Sequence, residues 1–158
     1  GGVLLDTSHE INYLQRLFGN VKDVQGIVGK FSDLDITSDD LTLSILKFKN
    51  QIIAHVHLDL LQFKKERNLK IIGTRGVLNM SLTNNKIKIF INKNKKWKNI
   101  NINYDFNKIY FKQLDELWNL IKNKNQNLGK GEEALHTMEI IEAIRTSSKT
   151  GKKVTIKS

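Results

Sequence analysis

The chain contains no cysteine and no proline. Without thiols there is no disulfide framework, no thiolate nucleophile and no sulfur-bound metal, a pattern that suits a reducing, cytoplasmic setting. No window approaches the ~20 consecutive apolar residues that span a bilayer, so a soluble protein without a membrane partner is expected. Arginine is scarce among the bases, which argues against the reading of base edges, where its forked guanidinium is the usual tool. Internal repeats, a Walker loop, a Rossmann fingerprint and a nucleophile elbow are all lacking. The chain opens on Gly1 rather than Met and shows no charged-then-apolar leader, so it reads as a piece of a longer protein.

What is present describes an ordinary globular chain. At 158 residues, 39% hydrophobic and 27% charged, one domain with a substantial core is expected. The net charge of +10 is unevenly placed. Residues 1–40 hold seven acids and three bases, whereas residues 41–158 hold nine acids and 23 bases. The densest part runs from Lys86 to Lys112, with eight lysines and one acid, Asp105. Such a surface suits a polyanion, but lysines also keep sheet edges from pairing with other chains. The second reading is preferred, and nucleic acid is not an expected partner. Trp97, alone among lysines, offers one stacking platform for a single strand.

The organising stretch is the first one, Gly1 to Leu14. Thr7 three residues before Glu10 predicts a capping box, with a helix beginning at Ser8. Ile11, Leu14, Leu17 and Phe18 fall on one side at helical spacing, and Gly19 supplies the stop. His9 lies away from that face, near Asn12, Tyr13 and Arg16, with Asp6 just ahead of it. The helix dipole at a first turn favours the neutral imidazole, while a carboxylate such as Asp6 pulls the other way. An ionisable pair at a helix entrance reads either as a surface histidine beside a cap or as a proton relay.

Farther along, period-two patterns predict strands at 21–30, 41–48, 51–62, 66–74, 77–82 and 86–91, then a turn at Lys93 to Lys98 and a polar strand with Ile100, Ile102 and Tyr104 on one side. The glycines at 26 and 29 weaken the first strand or mark a close approach. Asp33, Asp35, Asp39 and Asp40 lack the glycine and terminal glutamate of a calcium loop. His55, His57 and Asp59 share one side of a strand, as some metal sites require, but such residues more commonly hydrogen-bond across a half-polar face. No metal is expected. Phe111, Leu114, Leu117, Trp118 and Ile121 form a helical stripe, with Trp118 read as core. After a polar loop at 123–130, Gly131 opens a second helix with Ala134, Leu135, Met138, Ile141 and Ile144 as its stripe and His136 beside it on the surface. Gly151 ends that helix, and residues 152–156 return as a short strand. The expected architecture is α+β: an open-faced, mostly antiparallel sheet of about six strands with helices on one face. The bare face is a candidate oligomer interface.

Four segments then resemble a known family in order: residues 1–14, Ile53 to Gln62, Ile71 to Gly76, and Ala143 to Val154. They are similar to the C-terminal domain of Gfo/Idh/MocA oxidoreductases, whose sheet is like that of the glyceraldehyde-3-phosphate dehydrogenase C-terminal domain. The resemblance implies that residues 1–158 are a single substrate-binding and dimerisation domain, missing an upstream Rossmann half that binds NAD or NADP. It implies a homo-oligomer formed through the open face and a sugar, nucleotide-sugar or polyol substrate, and the Ser8-His9-Glu10-Ile11 segment is similar to members encoded with bacterial surface-sugar pathways. His9 matches the family's catalytic histidine and Asp6 the acid preceding it. The spacing here is Asp-x-x-His rather than the common Asp-x-x-x-His, which leaves open which side chain reaches the substrate. Asn12 stands where an acid is frequent. The family's catalytic lysine and cofactor loop lie upstream, so this chain alone is expected to bind no cofactor and to be inactive. The alternative is a non-enzymatic module that binds a polyanion through its lysine-rich surface.

Overall fold

A computed structural model describes residues 1–102, 106–123 and 131–156. The elements run α1 (Val3–Asp6), α2 (Ser8–Phe18), β1 (Val21–Gly29), β2 (Leu41–Phe48), β3 (Ile53–Asp59), β4 (Asn68–Gly73), β5 (Gly76–Ser81), β6 (Lys86–Ile91), β7 (Lys96–Asn101), α3 (Phe106–Asn123), α4 (Gly131–Thr150) and β8 (Val154–Thr155). The fold is α+β and every strand pair is antiparallel. The eight described strands divide into two sheets of four, ordered β3-β2-β1-β8 and β4-β5-β6-β7. Residues 1–61 with 126–158 form one compact unit and residues 62–125 a second. Tyr104 and most of the expected polar loop, residues 124–130, lie outside the described residues.

In the first unit alternation becomes burial because helices cover one face of the sheet. On β2, Thr42, Ser44, Leu46 and Phe48 point inward, and on β3 Val56 and Leu58 do. A register shift between Val21 and Asp23 lets both Val21 and Val24 reach the same core. Helix α4 lies on β1 and contributes Ile140, Ile141, Ala143 and Ile144. Gly26 is where the two approach most tightly. A β-carbon there would fall 2.8 Å from Ile144 Cγ2 and 3.1 Å from the Leu43 carbonyl. Full burial of each such side chain contributes about 1.5–3 kcal/mol.

The short β8 pairs with β1 at Asp23 and Val24, and just after it the Ile156 amide donates to the Lys22 carbonyl (2.8 Å). Beyond it, α4 satisfies the free edge with side chains: the Gly26 amide donates to Ser147 Oγ (3.1 Å) and the Val28 amide to Ser148 Oγ (2.8 Å). The segment between β1 and β2 is tied by Asp40, which is fully buried and accepts from the Phe31 amide (2.8 Å), the Ser32 amide (3.0 Å) and the Ser32 hydroxyl (2.5 Å). The Ser32 hydroxyl and these amides hold its carboxyl below the usual range, against the opposing effect of burial. The Asp23 carboxyl is lowered as well, chiefly by the Thr155 hydroxyl at 2.7 Å.

The second unit is a four-stranded meander. Its strands are the expected ones, although β7 begins at Lys96, so Trp97 is a strand residue facing Phe90 and not part of a turn. The Cβ that Gly76 lacks would fall 2.0 Å from the Phe90 carbonyl oxygen, which explains glycine at the strand start. Ile87 and Ile89 do lie opposite Lys86 and Lys88, but they are only half-buried.

Several expected helix faces shift. Leu17 is exposed while Ile11 and Leu14 are buried. On α4 the buried stripe is Thr137, Ile140, Ile141, Ala143, Ile144 and Ser147, leaving Leu135 and Met138 out. The apolar residues of its first turns stay outside the core because the part of the helix that is buried begins at Thr137. The α3 stripe of Phe111, Leu114, Leu117, Trp118 and Ile121 is exposed, and Trp118 carries Lys122 over its ring at 4.9 Å. Trp118 is therefore not core among the described residues.

Candidate functional site

The first ten residues do not make one capped helix. They make a single turn, a break and a second helix. Gly2 takes φ 102°, and a β-carbon on it would sit 2.1 Å from Asp39 Oδ1, so both conformation and space demand glycine. Asp39 binds the start of α1 twice: its carbonyl accepts from the Val3 amide (2.9 Å) and its carboxylate from the Leu4 amide (2.9 Å). Val3 and Leu4 are buried, which anchors the turn in the first unit's core.

The predicted capping box does not form, because Thr7 closes α1 instead of opening α2. Its amide and its hydroxyl both donate to the Val3 carbonyl. The Glu10 amide bonds the Thr7 carbonyl (2.9 Å), and the Glu10 carboxylate turns toward the His9 imidazole, with Oε1 3.3 Å from Nε2. Helix α2 still begins at Ser8, and Gly19 still ends it with φ 84° and its amide on the Gln15 carbonyl at 2.7 Å.

Asp6 is exposed at the end of α1, with its carboxylate against the backbone of Gly1. His9 is exposed in the first turn of α2, its side chain about half accessible at 56%. The break at Thr7 sets the two on different helices, and the ion partner beside His9 is Glu10. Sequence reasoning missed Glu10 as that partner because it assigned its carboxylate to the Thr7 amide. A buried carboxylate beside an exposed imidazole can take the Nε2 proton as a hydrogen bond and leave Nδ1 as the outward acceptor. Asp39 was missed too. No local pattern joins it to a helix start 35 residues earlier, so only the tertiary contact reveals it.

Other candidates resolve differently. His57 Nε2 meets Asp59 Oδ2 at 3.0 Å, and Asp59 also accepts from the Leu61 amide (2.9 Å), so Asp59 closes the end of β3. His55 stands outward opposite Ile45. Among the described residues no group of three or more acidic, histidine or cysteine side chains is placed to hold a metal.

A cleft of about 380 Å³ between α2 and α4 is lined by Asn12, Arg16, Glu133, His136 and Glu139, among others. Its groups are largely spent on one another. Arg16 binds Glu133 through Nε (3.1 Å) and Nη2 (3.0 Å), and Asn12 donates to Thr137 Oγ1 (3.2 Å). His136 is mostly covered and pairs with Glu139 at 3.0 Å, rather than lying free on the helix surface.

The described strands are all antiparallel, so the strand–turn–helix cradle that receives a dinucleotide pyrophosphate is not built from them. Among the described residues no helix is long and apolar enough to cross a membrane.

The fold is similar to the WlbA dehydrogenase of Bordetella pertussis, solved in complex with NADH and UDP-GlcNAcA (TM-score 0.76, 19% identity, 100% of this chain and 46% of that one). It is similar to an Agrobacterium radiobacter oxidoreductase in complex with NAD+, L-tartaric acid and magnesium (TM-score 0.78, 15% identity, 95% and 47%). Levoglucosan dehydrogenase in complex with NADH gives a TM-score of 0.83 at 12% identity, over 96% of this chain and 49% of that one. The chain thus spans about half the length of these solved relatives. A search of curated proteins returns no match. Residues 1–156 match the family described as "Oxidoreductase family, C-terminal alpha/beta domain", and the chain therefore belongs to the Gfo/Idh/MocA oxidoreductases as their C-terminal α/β domain.

Proposed function

We propose that residues 1–158 act as one domain, the substrate-binding and oligomerisation part of a longer NAD(P)-dependent oxidoreductase. Its substrate is a sugar, nucleotide-sugar or polyol hydroxyl. The observation that carries this reading is the exposed His9 imidazole at the first turn of α2, backed by the buried Glu10 carboxylate at 3.3 Å. His9 takes the proton of the substrate hydroxyl as general base, Glu10 orients the ring and stabilises the imidazolium that results, and Asp6 contributes charge beside the same helix entrance. The nicotinamide, held by residues outside this chain, accepts the hydride when bound. Relatives solved with NADH and with a nucleotide sugar support this class of substrate. The absence of cysteine suits a cytoplasmic enzyme.

The outward face of the first sheet supports the assembly. Ile27, Ile45 and Ile53 are at least half exposed there, flanked by His55 and His57. A two-fold partner presenting the same face would bury them.

In the longer enzyme His9→Ala is expected to lower kcat about 10²–10⁴-fold while dinucleotide affinity stays unchanged. Unchanged turnover removes His9 from the mechanism.

A further inference from the structure

One face of the second sheet gathers features that the sequence scatters over more than 30 positions. Cross-strand register aligns three rows on it. The first is Asn68, Ser81, Lys86 and Asn101. The second is Lys70, Asn79, Lys88 and Asn99, and the third is Ile72, Val77, Phe90 and Trp97. The first two rows carry three ammonium groups, four amide side chains, one hydroxyl and no carboxylate. The third row is apolar and ends in an aromatic pair, Phe90 and Trp97, with ring centroids 5.4 Å apart and Trp97 half exposed.

The polar rows are concave. Asn68, Lys70, Asn79, Ser81, Asn84, Lys86 and Lys88, together with Leu69 and Met80, line an open groove of about 680 Å³, and Lys86 and Lys88 also border an adjoining one with Ile87, Asn99, Ile100 and Asn101. Among the described residues Lys70, Lys86 and Lys88 form no ion pair. The other lysines of β7, Lys96 and Lys98, fall on the opposite face, so this one is a selected set rather than the sum of a basic segment.

Spacing narrows the ligand. Along β6, Lys88 stands about 7 Å and Lys86 about 14 Å from the position of Phe90, at two residues per ~6.8 Å. Lys70 lies across β5 from Lys88, about 10 Å away at ~4.8 Å per strand, within convergent reach of two four-carbon stems. A planar ring on Trp97, followed by one ribose, brings a pair of phosphates to Lys88, Lys86 and Lys70. Amide side chains between them supply donors for phosphate oxygens and acceptors for sugar hydroxyls. A long polyanion does not need the aromatic row to stop after one pair, whereas a single nucleotide does.

We propose that this face of the β4–β7 sheet binds a nucleoside diphosphate, with the base stacked on Trp97 and the diphosphate held by Lys70, Lys86 and Lys88. The inference rests on sheet register and charge, not on the His9 chemistry, so either stands if the other fails.

The test is equilibrium binding by the 158-residue chain at low salt, using UDP, inorganic pyrophosphate and a heptathymidylate as probes and calorimetry as readout. UDP is expected to bind at one site per chain, more tightly than pyrophosphate, and to weaken with added salt. The double variant Lys86→Gln/Lys88→Gln should lose about tenfold in affinity for both UDP and pyrophosphate. Trp97→Leu should lose roughly fivefold or more for UDP and leave pyrophosphate unchanged. These exposed positions tolerate substitution, and a circular dichroism melt shared with the parent chain verifies folding. No saturable UDP binding overturns the proposal, as does UDP affinity indifferent to the lysines. Tighter binding of the heptathymidylate that UDP fails to displace also overturns it, in favour of a single-strand surface.

Discussion

The two sheets carry nearly the same kind of pattern and do opposite things with it. In β2, inward residues Thr42, Leu46 and Phe48 are completely inaccessible, because helices cover that side of the first unit: α1 lies on β2, α4 on β1, and Phe18 of α2 meets Phe48. In β6, an equally regular alternation of Lys86, Ile87, Lys88 and Ile89 leaves the isoleucines half-buried, and no residue of β4 to β7 falls in the buried class. Periodicity states which residues share a face. Only a covering element turns that face into a core.

Core deletion should break the symmetry between the two sheets most forcefully. Phe48→Ala removes a fully buried ring in edge contact with Phe18 at 5.6 Å and is expected to cost about 3–5 kcal/mol. Ile89→Ala in the second sheet should cost less, about 1–2 kcal/mol, since its side chain is only partly covered. Urea unfolding of both variants gives the comparison, and equal losses would mean that the second sheet is covered in solution.

Next in size is Gly26→Ala, which sets a methyl 2.8 Å from Ile144 Cγ2. The strain should cost about 1–3 kcal/mol, and Ile144→Leu, which lacks the Cγ2 methyl, should recover part of it in the same background. No loss in the single variant would show that α4 can move off β1.

The third contrast is acid sensitivity. Asp40 has a folded pKa below its ordinary value of 3.8, chiefly through the Ser32 hydroxyl. A lowered folded pKa means that the unfolded chain takes up the proton first, so the Asp40 contribution is present above pH 3.8 and is lost as pH falls through the folded value. Melting temperature should therefore decline below about pH 4, and Asp40→Asn should flatten that decline. An identical pH profile in the variant would assign the acid transition to other groups. Smallest for the folded chain is Ile45→Lys on the open face of the first sheet. It should change stability by under about 0.5 kcal/mol while shifting sedimentation toward the monomer. An unchanged assembly state would move the proposed interface elsewhere.

Much of the fold was legible because short-range rules decided it. β6 runs over the predicted residues, β2 over Leu41–Phe48, and α2 starts at Ser8 and stops at Gly19. Gly151 ends α4 with φ 68° and its amide on the Ser147 carbonyl, after which a short strand returns. The family membership was also legible, since its segments lie in order along the chain. The site was only half legible. His9 was placed on the outward side of its helix by turn geometry alone, and it is exposed. The one-turn α1, the diversion of Thr7 to the Val3 carbonyl, and Glu10 as the partner of His9 were not readable, because they depend on Asp39 arriving from 35 residues away.

The amino-acid order by itself determined the alternation of each strand, the ends of α2 and α4 and the bias of basic residues toward the later part of the chain, because these follow from neighbours within a turn or a strand pair. Tertiary structure alone decided which alternating faces became core, which carboxylate stood beside His9, and which of the many lysines were gathered with Trp97 on one surface. Those outcomes depend on which distant segments meet, and a backbone contact across tens of residues leaves no periodic trace in the sequence.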